Sequence, residues 1–217
     1  MKYRSVLFVP GHEEKKIKKA YTLSADIVVI DLESTVPKEK KDEAKEIIKS
    51  CNVNKEKTYI RIDNNTDLKF VTSEKFFGIF LPFTETKKQL EDIDDTLKKN
   101  ESVQTDIIPI LESIKGLANL EEICSFKKRV RIISFGSHDL AKSINLKISG
   151  DEKEILEFRK NIVQKSKKIL RPIDTSFLDF KDEEGFKNSC LLAKDLGFGG
   201  KACIHPNQID ISNDIFS

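Results

Sequence analysis

Residues 27–32 read Ile-Val-Val-Ile-Asp-Leu, a short run in which nearly every side chain is apolar, whichever face it occupies. Seven further runs in the chain share this character and are bounded by turn-forming or charged residues. The eight runs are residues 5–9, 27–32, 58–62, 78–81, 107–111, 131–135, 172–177 and 201–204. Strands of a parallel sheet that is covered on both faces have this pattern.

Charged stretches with helical periodicity separate the runs. Leu90, Ile93 and Leu97 recur at i, i+3 and i+7, and residues 155, 158 and 162 form a similar apolar stripe. The segment 63–77 has the weakest helical signal. Eight strands alternating with helices, at about 27 residues per unit, predict a closed (β/α)8 barrel that spans residues 1–217 as a single domain. An open doubly wound sheet is the alternative, although no Gly-x-Gly-x-x-Gly follows any run.

Composition excludes several classes of protein. Of 217 residues, 38% are hydrophobic and 34% are charged, with a net charge of +2, so the chain is neither disordered nor a dedicated nucleic-acid binder. No apolar run approaches the roughly 18 residues that a membrane helix requires. The first residues do not read as a secretory signal, so we expect a cytoplasmic protein. We expect the four cysteines, which lie at no metal-binding or redox spacing, to be buried thiols.

Polar residues follow most of the apolar runs, at the end of a barrel where active sites lie. They are Pro10, Gly11, His12, Asp31, Glu33, Arg61, Asp63, Glu112, residues 136–139, Asp174, Asp179, His205 and Pro206. Several carboxylates converging with one arginine suit a hard divalent cation and an anionic substrate. By this reasoning alone, the chain performs metal-assisted chemistry on an anionic small molecule.

Each candidate has a structural alternative. Glu112 could bind a metal or interact with the start of a helix, and Asp139 could bind a metal or cap the helix that begins near residue 140. Arg61 could hold a substrate carboxylate or only pair with Asp31 or Glu33. We interpret His205 as structural, at a strand end before a helix-starting proline, and His12 and His138 as solvated loop residues.

Eight segments in order resemble a known family. They are residues 4–11 (Arg-Ser-Val-Leu-Phe-Val-Pro-Gly), 31–33 (Asp-Leu-Glu), 59–61 (Tyr-Ile-Arg), 111–112 (Leu-Glu) with 116–119 (Gly-Leu-Ala-Asn), 135–139 (Phe-Gly-Ser-His-Asp), 173–174 (Ile-Asp), 199–201 (Gly-Gly-Lys) and 204–208 (Ile-His-Pro-Asn-Gln). The chain resembles the citrate lyase beta subunit-like branch of the HpcH/HpaI aldolase superfamily over essentially its whole length. The resemblance implies a (β/α)8 barrel that uses Mg²⁺ and forms homo-oligomers, typically trimers or hexamers.

The resemblance also implies roles for individual residues. Glu112 and Asp139 match the family's metal ligands, Arg61 matches the arginine that holds the substrate carboxylate, and Glu33 matches an acidic residue beside the metal's water shell. Substrate-contacting positions of the acyl-CoA lyases fall on Phe8, Lys15 and Lys19. A solvated helix face is the alternative for the two lysines, which lie four residues apart.

The implied activity is Mg²⁺-dependent carbon–carbon cleavage, or its reverse, on a β-hydroxy acid or its CoA thioester, such as citramalyl-CoA or malyl-CoA. Three departures bear on it: Ser34 stands where the family commonly has Asp, Phe83 stands where it has Lys, and residue 217 comes before the segment that covers the CoA site in full-length members. The alternatives are a barrel enzyme that acts on a free keto or hydroxy acid, or a family member that binds metal or ligand without turnover.

Overall fold

Eight parallel strands form a nearly closed barrel in the computed structural model, which describes residues 2–166 and 170–217. The strands are β1 (Ser5–Pro10), β2 (Ile27–Asp31), β3 (Thr58–Arg61), β4 (Gly78–Leu81), β5 (Asp106–Leu111), β6 (Ile132–Phe135), β7 (Arg171–Ile173) and β8 (Lys201–Cys203). Their order in the sheet is β7-β6-β5-β4-β3-β2-β1-β8. The (β/α)8 barrel predicted from the sequence is confirmed, and every predicted run contains one strand.

The largest difference from the predicted runs lies at the seventh strand. The run 172–177 ends as a strand at Ile173, after which Asp174 makes a single bridge to Lys201. The backbone from Thr175 onward leaves the sheet and forms the rim of the barrel. Asp174, Thr175 and Ser176 interrupt the apolar pattern directly after the strand, so the predicted run extended too far at this end.

Ten α-helices connect the strands within the described residues. They are α1 (Glu14–Ala20), α2 (Lys41–Ser50), α3 (Asp67–Ser73), α4 (Lys87–Asn100), α5 (Ile114–Ala118), α6 (Leu120–Ser125), α7 (Ser137–Ser143), α8 (Leu156–Ser166), α9 (Glu183–Leu196) and α10 (Asn207–Ile215). The weakly predicted segment 63–77 contains α3. No helix in this described part of the chain combines the length and the apolar character needed to cross a bilayer.

Local sequence defines the ends of the longer helices. The Thr86 hydroxyl accepts a hydrogen bond from the Gln89 amide, and the Gln89 side-chain oxygen accepts one from the Thr86 amide, so a capping box begins α4. Asp182 accepts from Gly185 at the start of α9, and Gly197 ends that helix with a φ of 110°. The predicted stripe on α4 is buried against the sheet, as its periodicity requires.

The strands separate two apolar layers. Interior residues such as Val6, Val29 and Ile110 form one cluster inside the barrel, while residues such as Val28 and Leu111 pack outward against the helices. Successive side chains on a strand point to opposite faces, so positions two residues beyond an interior residue also face inward. By this alternation, the interior register reaches the barrel rim at Phe8, Asp31, Arg61 and Glu112.

The four cysteines are free, as the sequence predicts. Cys124, Cys190 and Cys203 are buried, and Cys51 is half-buried. Burial raises the pKa of the Cys124 thiol to about 12, because the thiolate would lose its hydration. The buried thiols therefore behave as apolar packing groups.

The barrel closes between its two shortest strands, β7 and β8. The Asp174 amide donates to the Gly200 carbonyl at 2.9 Å, and the Ala202 amide donates to the Asp174 carbonyl at 2.9 Å. The Gly199 amide donates to the Pro172 carbonyl at 2.9 Å. Three backbone hydrogen bonds therefore complete the ring.

A buried ionic cluster, formed by Asp174, Lys201, Arg159 and Glu152, stabilises this closure on the helix-facing side. Asp174 accepts from Lys201 Nζ at 2.6 Å and from Arg159 Nε and Nη2 at 2.9 Å each, and all three side chains are fully buried. Arg159 Nη2 also donates to Glu152 at 2.8 Å. Burial alone would raise the pKa of Asp174, but the charges of Lys201 and Arg159 outweigh that effect and hold it below its usual value.

We expect Lys201→Met to lower the free energy of unfolding by about 3 kcal/mol, because it leaves a buried carboxylate with one fewer cationic partner. The matched control is Lys160→Met, which removes an exposed lysine paired with Glu157 and should leave the stability unchanged. Urea unfolding followed by far-UV circular dichroism measures both. Equal stability of the two variants would show that the cluster does not stabilise the closure.

Candidate active site

A cavity of about 850 Å³ opens at the carboxyl ends of the strands. Six of the seven residues that the family resemblance assigns to the site line it, from four strands or the segments that follow them: Phe8, Lys15, Lys19, Arg61, Glu112 and Asp139. Glu33 lies beside the cavity, with Oε2 3.4 Å from Arg61 Nη1. The structure therefore brings together all seven predicted site residues.

Asp31 and Arg61 form a bidentate pair at the cavity wall. They are register partners on β2 and β3, and Arg61 donates from Nε and Nη2 to the two Asp31 oxygens at 2.6 Å each. Asp31 also accepts from the backbone amides of Glu33 and Thr35 at 2.9 Å. Burial alone would raise the pKa of Asp31, but the hydrogen bonds and charge of Arg61 lower it, so Asp31 is ionised at neutral pH.

The remaining donors of Arg61 face two further groups. Nη2 donates to Ser34 Oγ at 2.5 Å, and Nη1 is the group nearest to Glu33. The guanidinium also lies 5.4 Å from the centre of the Phe8 ring. The sequence left open whether Arg61 pairs with Asp31 or Glu33 or holds a substrate, and it does pair with both. Its Nη1 group has the weakest protein contact and is the donor best placed to receive a ligand carboxylate.

Glu112 is a nearly buried carboxylate at the end of β5, with 3% of its surface exposed. Its Oε1 accepts from the Phe83 amide at 2.7 Å, and Phe83 has a left-handed φ of 47°. Burial raises the pKa of Glu112 to about 7, with a further increase from the charge of Asp139. A bound cation would reverse this effect by stabilising the ionised form.

Gly136 leaves the space that the Glu112 side chain occupies. A Cβ atom built on Gly136 would lie 2.5 Å from Glu112 Oε2 and 2.8 Å from Glu112 Cβ. Any other residue at this position would therefore displace the carboxylate or the start of α7.

Asp139 lies in the first turn of α7 and is half-buried. The helix begins at Ser137 with Gly136 at the N-cap, so the alternative that Asp139 caps a helix near residue 140 is wrong. Within residues 2–166 and 170–217, its carboxylate forms no ion pair or side-chain hydrogen bond. The charge of Asp139 nevertheless contributes to the raised pKa of both Glu33 and Glu112, after burial in each case.

The donor set fits a hard divalent cation. Mg²⁺ is commonly held by one or two protein carboxylates, with water and ligand oxygens at its other positions. Glu112 and Asp139 both line the cavity, and Asp139 has no competing partner among the described residues. No group of three or more metal-binding side chains gathers in that part of the chain, so a bound Mg²⁺ would take its other ligands from water or substrate.

The lysines at the mouth of the cavity differ in their pairing. Lys16, which lines the cavity, pairs with Glu13, and Lys18, which does not line it, pairs with Glu14. Lys15 and Lys19 line the cavity, are exposed, and form no ion pair with the described residues. Two unpaired cations at the rim suit an anionic portion of a ligand outside the cavity.

Besides Glu33, three carboxylates that the sequence grouped with the site, Asp63, Asp174 and Asp179, do not line the cavity. Asp63 forms an ion pair with Lys41, and Asp174 is buried in the ionic cluster on the helix-facing side. Strand position alone cannot separate these residues from Glu112, because the face on which a side chain lies at a strand end depends on where the strand stops.

Sequence reasoning treated two cavity-lining histidines as solvated or structural. His138 lines the cavity and donates from Nε2 to the Ser176 carbonyl at 3.0 Å. His205 lines it as well, stacks on Phe180 with ring centres 4.5 Å apart, and contacts the Asn207 side chain through Nδ1 at 2.6 Å. His138 and His205 are far apart in sequence, so the sequence alone did not indicate that both lie at the rim.

Comparison with known proteins identifies the family. A family model for HpcH/HpaI aldolase/citrate lyase matches residues 4–206. The citramalyl-CoA lyase of Rattus norvegicus mitochondria is 30% identical over 240 residues, covering 99% of this chain and 71% of that protein. The chain therefore belongs to the HpcH/HpaI aldolase/citrate lyase family, as its motifs indicated.

Two further proteins resemble the chain. A (3S)-malyl-CoA thioesterase of Cereibacter sphaeroides is 25% identical over 227 residues, covering 99% of this chain and 77% of that protein. The citrate lyase beta subunit of Mycobacterium tuberculosis, solved with oxaloacetate and magnesium, superposes with a TM-score of 0.85 at 23% identity, covering 100% of this chain and 99% of that one. The structural match supports the barrel fold.

We expect Asp31→Asn to destabilise the protein by about 3 kcal/mol at pH 7, because it leaves the Arg61 charge without its buried partner. Since Arg61 lowers the pKa of Asp31, this stabilisation is present above the unfolded pKa of about 4 and disappears as the pH falls through the lower folded value. The difference in free energy of unfolding between Asp31→Asn and the wild type should therefore become smaller in acid.

Urea unfolding at pH 7, 5 and 3.5 tests this dependence. Asp92→Asn, which breaks an exposed pair with Lys88, serves as the matched control and should match the wild type at pH 7. A gap between Asp31→Asn and the wild type that is constant with pH would contradict the assigned charge pair.

We expect Gly136→Ala to lower the free energy of unfolding by about 1–3 kcal/mol, because the added methyl group overlaps Glu112. Gly150→Ala is the control, since a Cβ at that position meets no atom within 4 Å. Thermal unfolding of both variants provides the comparison, and equal melting temperatures would refute the close approach.

Proposed function

We propose that this protein is a Mg²⁺-dependent carbon–carbon lyase that cleaves, or in reverse forms, a β-hydroxy acid or its CoA thioester, such as citramalyl-CoA or malyl-CoA. The observation that carries this proposal is the convergence of Glu112, Asp139 and Arg61 on one cavity at the carboxyl ends of the strands. Family membership and the citramalyl-CoA lyase relative support the reaction type.

The reaction breaks one carbon–carbon bond. The substrate hydroxyl loses its proton and becomes the carbonyl of an α-keto acid, pyruvate from citramalyl-CoA or glyoxylate from malyl-CoA. The electron pair of the broken bond passes to the acyl fragment as an enolate, which then takes up a proton. Mg²⁺ held by Glu112 and Asp139 would supply positive charge beside the oxygen atoms that become negative.

Arg61 would bind the carboxylate of the keto-acid portion through Nη1, while Asp31 holds the guanidinium in place through Nε and Nη2. Because Asp31 already holds Nε and Nη2, the guanidinium is oriented before substrate binds, and little free energy is lost in ordering it. Glu33 lies beside Arg61, and burial raises its pKa, with the charge of Arg61 opposing the increase. Glu33 would interact with the water molecules that surround the metal.

Lys15 and Lys19 would bind anionic groups of the CoA portion at the rim, and Phe8 would pack against the acyl group beside Arg61. Phosphate groups are suited to lysine, which acts on them as a point charge. We also infer from the family resemblance a cytoplasmic homo-oligomer, trimer or hexamer, for which analytical ultracentrifugation of the purified chain is the test.

We expect Glu112→Gln to reduce Mg²⁺-dependent turnover at least about 100-fold, because the amide cannot supply the charge of a carboxylate ligand. Glu157→Gln, at an exposed position of α8, is the matched control and should keep full activity. The assay measures pyruvate and glyoxylate released from citramalyl-CoA and malyl-CoA, with Mg²⁺ and with EDTA.

The products distinguish the proposal from its alternatives. Keto-acid release that requires Mg²⁺ supports the lyase. Keto-acid release from citramalate or malate alone would indicate a free-acid enzyme, and CoA release without keto acid would indicate thioester hydrolysis. Magnesium binding without any turnover would indicate a family member that only binds its ligand, and near-wild-type activity of Glu112→Gln would refute the assigned metal ligand.

A further inference from the structure

The start of α7 has an unusual cap. The first amides of a helix have no partner within the helix, and a side chain at the N-cap usually accepts from one of them. Here the N-cap is Gly136, which has no side chain and which Glu112 prevents from gaining one. The first helical amide, that of Ser137, has its hydrogen-bond acceptor on another segment of the chain.

Thr175, which follows β7, provides that acceptor. The Ser137 amide donates to Thr175 Oγ1 at 3.2 Å, and the two hydroxyl oxygens lie 2.8 Å apart in a second hydrogen bond. Both residues are almost completely buried, at 1% and 0% exposure. Thr175 lines the cavity, but Ser137 does not and has no exposed surface, so loss of the threonine hydroxyl would leave the Ser137 amide without a partner.

The segment that holds Thr175 is itself firmly placed. Asp174, the preceding residue, is fixed by Lys201 and Arg159 in the ionic cluster. The Ser176 carbonyl, on the other side, accepts from His138 Nε2 at 3.0 Å. Residues 174–176 thus connect the closure of the barrel to the first turn of α7.

We propose that Thr175 is a positioning residue for the magnesium site, because it fixes the first turn of α7 and with it the Asp139 carboxylate. The inference rests on the proposed function, in which Asp139 binds Mg²⁺. Asp139 lies two residues beyond Ser137 and forms no hydrogen bond with the described residues that would orient it independently. Its placement therefore depends on where the helix begins.

The test compares Thr175→Val, which removes the hydroxyl at nearly constant volume, with Thr175→Ser, which retains it. Thr72→Val is the matched control, since Thr72 is also buried and its hydroxyl donates to the Leu68 carbonyl within α3, away from the cavity. Isothermal titration calorimetry with Mg²⁺ alone measures the dissociation constant of each variant, and thermal unfolding in EDTA reports the loss of stability.

We expect Thr175→Val to raise the dissociation constant for Mg²⁺ about tenfold, as loss of groups that orient metal ligands typically does. The dissociation constant of Thr175→Ser should remain within about twofold of the wild-type value. The same holds for Thr72→Val, even if its melting temperature falls as much as that of Thr175→Val. Unchanged Mg²⁺ affinity in Thr175→Val, with weakened affinity in Asp139→Asn, would overturn the positioning role and leave the proposed function intact.

Hydrogen exchange of the metal-free protein tests directly whether Thr175 fixes the first turn of α7. Peptides covering residues 136–143 should exchange at least about tenfold faster in Thr175→Val than in the wild type or Thr72→Val, because the Ser137 amide loses its acceptor. Equal exchange would overturn the positioning role on its own. A wild-type protein that binds no Mg²⁺ would overturn the proposed function and the role of Thr175 in metal binding together.

Discussion

Closure of the barrel depends on a carboxylate that has no access to water. Asp174 joins the two shortest strands through its backbone and accepts three hydrogen bonds from two buried cations through its side chain. Burying charges is costly, so such a cluster stabilises the structure only while every member is present. Because the strands it joins are parallel, closing the ring brings all eight carboxyl ends to one rim, where the cavity lies.

The rim carries a positive group, Arg61, that suits an anionic substrate, and two carboxylates, Glu112 and Asp139, that suit a cation. Asp31 neutralises most of Arg61, which leaves one face of the guanidinium for a ligand. Burial raises the pKa of Glu112, and the charge of Asp139 adds to that effect. A buried carboxylate that is costly to ionise in the absence of a cation gains stabilisation when a cation binds, so binding and ionisation of Glu112 are coupled.

Most of the barrel could be predicted because each strand is short, apolar on both faces and bounded by polar residues. The site residues could be predicted in part, since Arg61 lies at the end of a buried run and Glu112 directly follows one, which places both at the rim. The pairing of Arg61 with Asp31, the burial of Asp174 away from the cavity and the cap that Thr175 provides could not. Each depends on which strands are neighbours and on which face a side chain lies, and a single sequence contains no record of distances across the barrel.

The sequence by itself therefore determined the class of fold, the end of the barrel that carries polar residues, and the family. These properties follow from periodicity and order along the chain, which act over short separations. Only the tertiary structure decided that Glu112 requires a glycine at position 136, and that the missing cap of α7 is supplied by Thr175. Steric exclusion between residues 24 positions apart and hydrogen bonding between residues 38 positions apart arise only when the closed barrel brings those segments into contact.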